Sequence, residues 1–315
     1  MRKVKWEGVY PAVTTKFFED GSLDIDGFLS NIKFQIEAGI DGVIIGGSLG
    51  ESSTLTITER LELTSRTLEA FGDQVDVIMN IAEGSTQTAI YLAKEAESRG
   101  AHGLMVLPPM MYKPTDQEVA DFFMEIAAST SLPILIYNNP VDYKIEVTLE
   151  IFEQLVQYKN IQAVKESTRD ISNVTRFKNK FGDRIKILCG VDTLAMEELL
   201  MGADGWVAGL VDAFPRETVA IYRLIKAGRQ ADALKIYRWF LPILELDISP
   251  QLVQNIKLAE VMTGIGTEHV RPPRKILSGA ERARVISILE EGLKTRPELP
   301  DYLNLGFDQK VLKEI

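Results

Sequence analysis

Short, almost uniformly apolar runs alternate along the chain with stretches whose apolar residues recur at helical spacing. The runs are Val9–Thr14, Gly42–Gly46, Val75–Met79, Gly103–Leu107, Pro133–Tyr137, Ile161–Lys165, Ile185–Cys189 and Gly205–Gly209. Most are too short and too uniformly apolar for half-exposed strands, so they predict parallel strands covered by helices. Between them the spacing predicts helices near 24–38, 58–72, 87–99, 116–129, 148–158, 170–180 and 193–201, with another near 216–226. Thr58 and Ser85 are plausible helix starts, and Gly39 and Gly100 plausible stops. Eight such β-α units in series predict a (β/α)8 TIM barrel. A doubly wound open sheet usually shows a Gly-x-Gly-x-x-Gly turn after its first strand, whereas here that strand runs into Thr14-Thr-Lys-Phe17. Beyond residue 226 the pattern is helical only, near 228–246, 250–264 and 277–293. The expected division is therefore a barrel over 1–226 and a C-terminal helical extension with tail over 227–315. Thr295–Pro300 breaks structure, and the last residues are expected to form a loose tail.

Composition narrows the function classes. Hydrophobic residues make up 45% of the chain and charged residues 25%, the proportions of a soluble globular protein. A net charge of −10 and a pI near 5.0 disfavour nucleic acid as a partner. One cysteine, Cys189, allows no internal disulfide, and the expected location is cytoplasmic. In its apolar run Cys189 reads as a small buried hydrophobe. Met1–Trp6 has a basic start without the apolar stretch of a signal peptide, and no run approaches a membrane span. His102 and His269, far apart in sequence, do not suggest a zinc site, and no Gly-x-Ser-x-Gly elbow supports a serine triad.

In such a barrel the chemistry sits at the C-terminal ends of the strands. Those ends carry Thr14-Thr15, Gly46-Gly-Ser-Leu-Gly-Glu-Ser52, Tyr137-Asn-Asn-Pro140, Lys165-Glu-Ser-Thr168 and Gly209-Leu-Val-Asp212. An ammonium group at the end of an apolar strand is poorly solvated, so the pKa of Lys165 should fall and its neutral amine should attack carbonyls and imines. Tyr137 is the candidate proton carrier. A lysine at a strand end also commonly extends its head into water while a tyrosine merely packs; the polar strand ends around this pair favour the chemical reading. The loop from Gly46 to Ser52 offers backbone N–H groups and hydroxyls able to hold a carboxylate without a formal positive charge.

Gly47-Ser-Leu-Gly-Glu-Ser52, Tyr137-Asn-Asn-Pro140 and the placing of Lys165 together resemble the dihydrodipicolinate synthase / N-acetylneuraminate lyase family over nearly the whole chain. The resemblance implies a barrel with a C-terminal helical domain, commonly assembled as a tetramer that is a dimer of dimers. It implies Lys165 as the Schiff-base lysine, Tyr137 as the proton relay, and Ser48 as the first hydroxyl of the carboxylate-binding motif. Thr14, Ser48, Leu49, Asn139, Gly190 and Gly209 are the expected substrate contacts. No metal or organic cofactor is implied, and the expected partner is a small 2-oxo or 2-imino acid.

Three departures separate this chain from the synthases. Their arginine two residues after the proline of Tyr-Asn-x-Pro is Asp142 here, an anion that should repel a second carboxylate. Leu49 replaces the second hydroxyl of the Gly-Thr-Thr-Gly-Glu motif, and Met111, beside Tyr112, stands where their inter-subunit tyrosine aligns. Val9–Thr15, Tyr137–Lys144, Gly205–Gly209 with Ala213-Phe-Pro215, Leu252–Lys257 and Arg271-Pro-Pro-Arg274 are similar to 1-pyrroline-4-hydroxy-2-carboxylate deaminases of hydroxyproline breakdown. That branch implies conversion of the cyclic imino acid to 2,5-dioxopentanoate and ammonia. Asn139, Asp142 and Tyr143 would then face the distal part of the substrate. The alternatives are the synthase itself, a pyruvate-dependent sugar-acid aldolase, and a non-catalytic keto-acid-binding barrel.

Overall fold

The computed structural model describes residues 3–305. Eight strands alternate with helices: β1 (Gly8–Pro11), β2 (Gly42–Ile45), β3 (Asp76–Ile81), β4 (Gly103–Val106), β5 (Ile134–Asn138), β6 (Ile161–Glu166), β7 (Lys186–Cys189) and β8 (Gly205–Ala208). The barrel helices are α1 (Ile25–Glu37), α2 (Ile57–Phe71), α3 (Thr86–Ser98), α4 (Asp116–Ser129), α5 (Pro140–Tyr143), α6 (Leu149–Leu155), α7 (Ser172–Phe181), α8 (Ala195–Leu200) and α9 (Pro215–Lys226). Every strand pairs in parallel with its sequence neighbour or, for β1, with β8. The ring is completed between β1 and β2 by the Ala12–Ile44 bridge, where Val13 N donates to Ile44 O at 3.1 Å. This is a (β/α)8 barrel. Nearly every strand residue is buried, which is why the strands read as continuous apolar runs rather than alternating ones.

Local chemistry sets the helix ends. Gly39 and Gly100 have φ of 94° and 85°, the left-handed conformation in which a chain leaves a helix without a Cβ penalty. Ser85 caps α3, as expected. The start expected at Thr58 lies inside α2, because Thr56 forms a capping box with Glu59 just upstream. The short α5 was not legible as a helix: Pro140 opens it and the Asn139 side chain caps it by accepting from Asp142 N at 3.1 Å.

Past Lys226 the chain forms α10 (Gln230–Leu244), α11 (Leu252–Thr263) and α12 (Gly279–Lys294). The rings of Phe214 and Phe240, 5.4 Å apart, join the end of the barrel to α10, and Trp239 Nε1 donates to Gly292 O at 3.0 Å to hold α12. The expected loose tail is, at its start, a docked segment. Tyr302 is buried and donates to Ala38 O at 3.2 Å, and Arg223 Nη1 holds Leu303 O at 3.0 Å. Residues 306–315 lie outside the described residues. Among the described residues no helix is long and apolar enough to cross a membrane.

Candidate active site

The parallel register of β5 and β6 sets Tyr137 beside Lys165. Alternate residues of a strand face one side, and here the first and third positions of each strand end, Tyr137 with Asn139 and Lys165 with Ser167, line one cavity of about 210 Å³. The intervening residues are committed elsewhere: Asn138 Oδ1 accepts from Val147 N at 2.9 Å, and Glu166 accepts from Thr168 N at 2.7 Å and Asn173 Nδ2 at 2.8 Å. Lys165 is 7% exposed and its Nζ lies 4.0 Å from the centre of the Tyr137 ring. Burial lowers its pKa from the ordinary 10.5, against the pull of nearby acidic groups, so the neutral amine is accessible. Burial pushes the Tyr137 phenol up to about 12, and the Asn139 amide, donating to its oxygen at 3.0 Å, opposes that rise. Tyr137 is therefore a neutral acid whose phenolate, once formed, has a donor waiting for it.

Gly47, Ser48 and Leu49 form an adjacent wall. The Ser48 hydroxyl hydrogen-bonds that of Tyr143, and the Tyr143 ring meets Tyr137 edge-on at 5.7 Å. Burial also raises the Tyr143 pKa. This loop is anchored by a residue whose role the sequence did not disclose. Glu51 adopts a left-handed backbone, φ 59°, and its fully buried carboxylate meets Lys257 Nζ of α11 at 2.6 Å and Arg271 N at 3.2 Å. The extension thus holds the loop that presents Ser48 and Leu49.

Of the expected substrate contacts, Ser48, Leu49, Asn139, Gly190 and Gly209 line the cavity with Lys165 and Tyr137, and Thr14 does not. Thr14 is fully buried behind the wall: its N–H donates to Asp212 at 3.1 Å and its hydroxyl to Glu260, which also pairs with Lys16 at 2.9 Å. Buried charges of the barrel, Asp212 and Lys16, and of the extension, Glu260, use up its hydrogen-bonding capacity. The two glycines give room. A Cβ on Gly190 would lie 2.7 Å from Lys165 Cε, and one on Gly209 would lie 2.5 Å from Asp247 Oδ1. Met111, 80% exposed, and Tyr112 lie on the β4–α4 connection and do not line the cavity. Cys189 is fully buried, with its thiol pushed up by burial.

Four further side chains that sequence reasoning did not place in the site line or adjoin the cavity. Asp192, just past β7, accepts from Trp206 Nε1 at 2.9 Å and Leu210 N at 2.8 Å. Ser167 and Arg169 follow Lys165 on the β6 end; Arg169 has φ 65° and its guanidinium lies 4.0 Å from Asp142. Asp247 comes from the segment between α10 and α11 and overhangs the cavity. Position at a strand end was a usable signal for the first three. Asp247 stands on no strand and had none.

The family model described as the Dihydrodipicolinate synthetase family matches residues 5–292. The chain is 34% identical over 268 residues to a 4-hydroxy-tetrahydrodipicolinate synthase of Methanococcus maripaludis, covering 85% of this chain and 92% of that protein. It is 29% identical to a synthase of the same name from Moorella thermoacetica, covering 91% and 99%. Among solved structures, the 4-hydroxy-tetrahydrodipicolinate synthase of Methylacidiphilum fumariolicum superposes with a TM-score of 0.86 at 30% identity, over 92% of this chain and 98% of that one. With the barrel, the paired lysine and tyrosine and these matches in place, the chain belongs to the dihydrodipicolinate synthetase family of lyases.

Proposed function

We propose that the protein is a Schiff-base deaminase that converts 1-pyrroline-4-hydroxy-2-carboxylate to 2,5-dioxopentanoate and ammonia. The observation that carries the reading is the distal end of the cavity. The position of the synthases' arginine is Asp142, and Asp247 overhangs the same space. A substrate with a second carboxylate would meet the Asp142 anion and find no cation supplied at that position, whereas a small hydroxylated ring would not be repelled. Near the amine, Ser48 and the N–H groups of Ser48 and Leu49, which donate to no described residue, form the cradle for the substrate carboxylate.

In this reading the neutral Lys165 amine adds to the imine carbon. One of its protons passes to the ring nitrogen. Tyr137 supplies a second as the carbon–nitrogen bond breaks, leaving an iminium on Lys165, a free amine and a phenolate held by Asn139. The phenolate then takes the proton from the carbon next to the iminium, giving an enamine. Loss of the 4-hydroxyl leaves a conjugated iminium; a proton moves from the amine-bearing carbon to the carbon chain, turning that amine into an imine, and hydrolysis at both ends then releases the product and ammonia.

The synthase reading, condensing pyruvate with aspartate semialdehyde, has the names of the relatives and one structural observation in its favour: Arg169 lines the cavity and can offer a cation from a neighbouring strand. Borohydride trapping with peptide mapping, using pyruvate and the ring compound separately, distinguishes the two. Adduct from the ring compound on Lys165 with ammonia release supports the deaminase. A pyruvate adduct that condenses with aspartate semialdehyde, without ammonia release from the ring compound, overturns it. Lys165→Ala should abolish both adducts.

A further inference from the structure

We propose that Asp247, supplied by the C-terminal extension rather than by the barrel, is the acid that protonates the departing hydroxyl group. The inference rests on the deaminase reading and assigns its elimination step.

Three carboxyl groups line or adjoin the cavity, and their surroundings separate their roles. Asp142 is more than half exposed, lies near Arg169 and accepts from the Asn139 amide at 2.8 Å, so solvent and these partners already engage it. Burial raises the Asp192 pKa as well, but Asp192 accepts from the backbone N–H groups of Leu210 and Gly209 and from the Trp206 indole, donors that oppose the rise and that Asp247 lacks. The Asp247 carboxyl makes no hydrogen bond or ion pair with any described residue, its backbone N–H alone being bonded, to Leu244 O at 3.0 Å. The groups facing it are Asp192, Asp142, Lys165 and Arg169. Burial and the two neighbouring acids raise its pKa, while Lys165 and Arg169 oppose that rise. Two carboxyls whose surroundings differ in this way take different roles, one staying ionised and the other carrying a proton. Converting the iminium on Lys165 to an enamine removes a cation from the set, which further favours the protonated form of Asp247 at the moment the acid is needed.

The step balances. The enamine nitrogen pushes its electron pair toward the carbon bearing the hydroxyl, and the carbon–oxygen bond breaks. The oxygen takes the Asp247 proton and leaves as water. A conjugated iminium remains on Lys165, and Asp247 is left as a carboxylate that solvent reprotonates before the next turnover. The same placement explains why an elimination acid comes from outside the barrel. The lysine and tyrosine ends of the cavity are built by β5 and β6, and the leaving group is on the far side of the substrate carbon chain.

The test is Asp247→Asn, nearly isosteric, with folding checked by melting. Enzyme and variant are incubated with 1-pyrroline-4-hydroxy-2-carboxylate and, separately, with 1-pyrroline-2-carboxylate, which has no leaving group; each mixture is quenched with borohydride and read by intact mass and ammonia release. The expected result is ammonia release reduced by about 10²–10⁴-fold, with the trapped adduct of the hydroxylated compound retaining its oxygen in the variant and one water lighter in the wild type. Variant turnover near wild type with a dehydrated adduct overturns the inference. So does loss of the adduct from both compounds, which would place Asp247 in amine attack instead. Wild-type enzyme that releases no ammonia at all overturns the deaminase reading itself, an outcome separable from the other two.

Discussion

Replacing Gly190 by alanine tests whether Lys165 is held in place by the space beside it. Gly190 follows β7, and its backbone is outside the left-handed region, so alanine is compatible with the local chain. The added methyl carbon would lie 2.7 Å from both Lys165 Cγ and Cε and 2.1 Å from Ser167 Oγ. Carbon atoms in contact sit at about 3.5–4.0 Å, so the lysine chain must shift by roughly 1 Å. A misplacement of that size in a reacting group costs about 10²-fold in rate, or about 2.7 kcal/mol of transition-state stabilisation. The overpacking itself should lower stability by about 1–3 kcal/mol, which a folded barrel of this size survives. The assay is the initial rate of borohydride-trapped pyruvate adduct on Lys165, with circular dichroism and melting to show the variant folded. A folded Gly190→Ala protein that forms adduct at the wild-type rate would refute the reasoning, because the methyl would then be absorbed without moving the amine.

Lys257→Met should cost about 3–5 kcal/mol in urea unfolding, since it removes the closest cation of the fully buried Glu51 carboxylate and leaves only the more distant Arg274 at 3.7 Å. Adding Glu51→Gln should recover part of that loss, and strictly additive losses would argue against a coupled pair. The pH dependence of adduct formation should show the depressed lysine. Because burial lowers the Lys165 pKa below 10.5, the reactive neutral amine is present at lower pH than for a free lysine, so the trapping rate should rise with pH and level off below that value. A midpoint at or above 10.5 would contradict the buried setting.

The barrel was legible because burial on both faces makes each parallel strand a continuous apolar run, and because polar residues at the strand ends stand out against those runs. The placing of Lys165 and Tyr137 in one cavity was legible for the same reason. That Thr14 lies behind the cavity wall was not legible, because its neighbours, Glu260 and Lys16, form a buried ion pair across far-separated parts of the chain, which no local pattern reveals. The anchoring role of Glu51 was hidden in the same way: its partner Lys257 lies on α11. The short helix α5 escaped because one turn is too short for periodicity. What sequence pattern cannot supply is the path of a segment over the barrel mouth, and that path is what brings Asp247 to the site.

The two cavity glycines sharpen the argument that the cavity has two chemically distinct ends. Gly190 makes room for the lysine chain, whereas Gly209, just past β8, makes room for Asp247. A Cβ on Gly209 would lie 2.5 Å from Asp247 Oδ1 and 3.2 Å from Ile256 Cδ1, and Lys165 is not among the atoms nearest to it. Gly209 also lies outside the left-handed region, φ −102°, so alanine fits its backbone. If Asp247 acts on the leaving group, Gly209→Ala should lower ammonia release by a larger factor than it lowers adduct formation, because the methyl displaces the acid more than the nucleophile. Gly190→Ala should show the opposite order, with adduct formation itself impaired. Parallel measurement of both rates in both variants decides the matter. Equal loss of the two rates in Gly209→Ala would mean that the cavity responds as one packed unit, and the separation of the nucleophile from the acid would have to be abandoned.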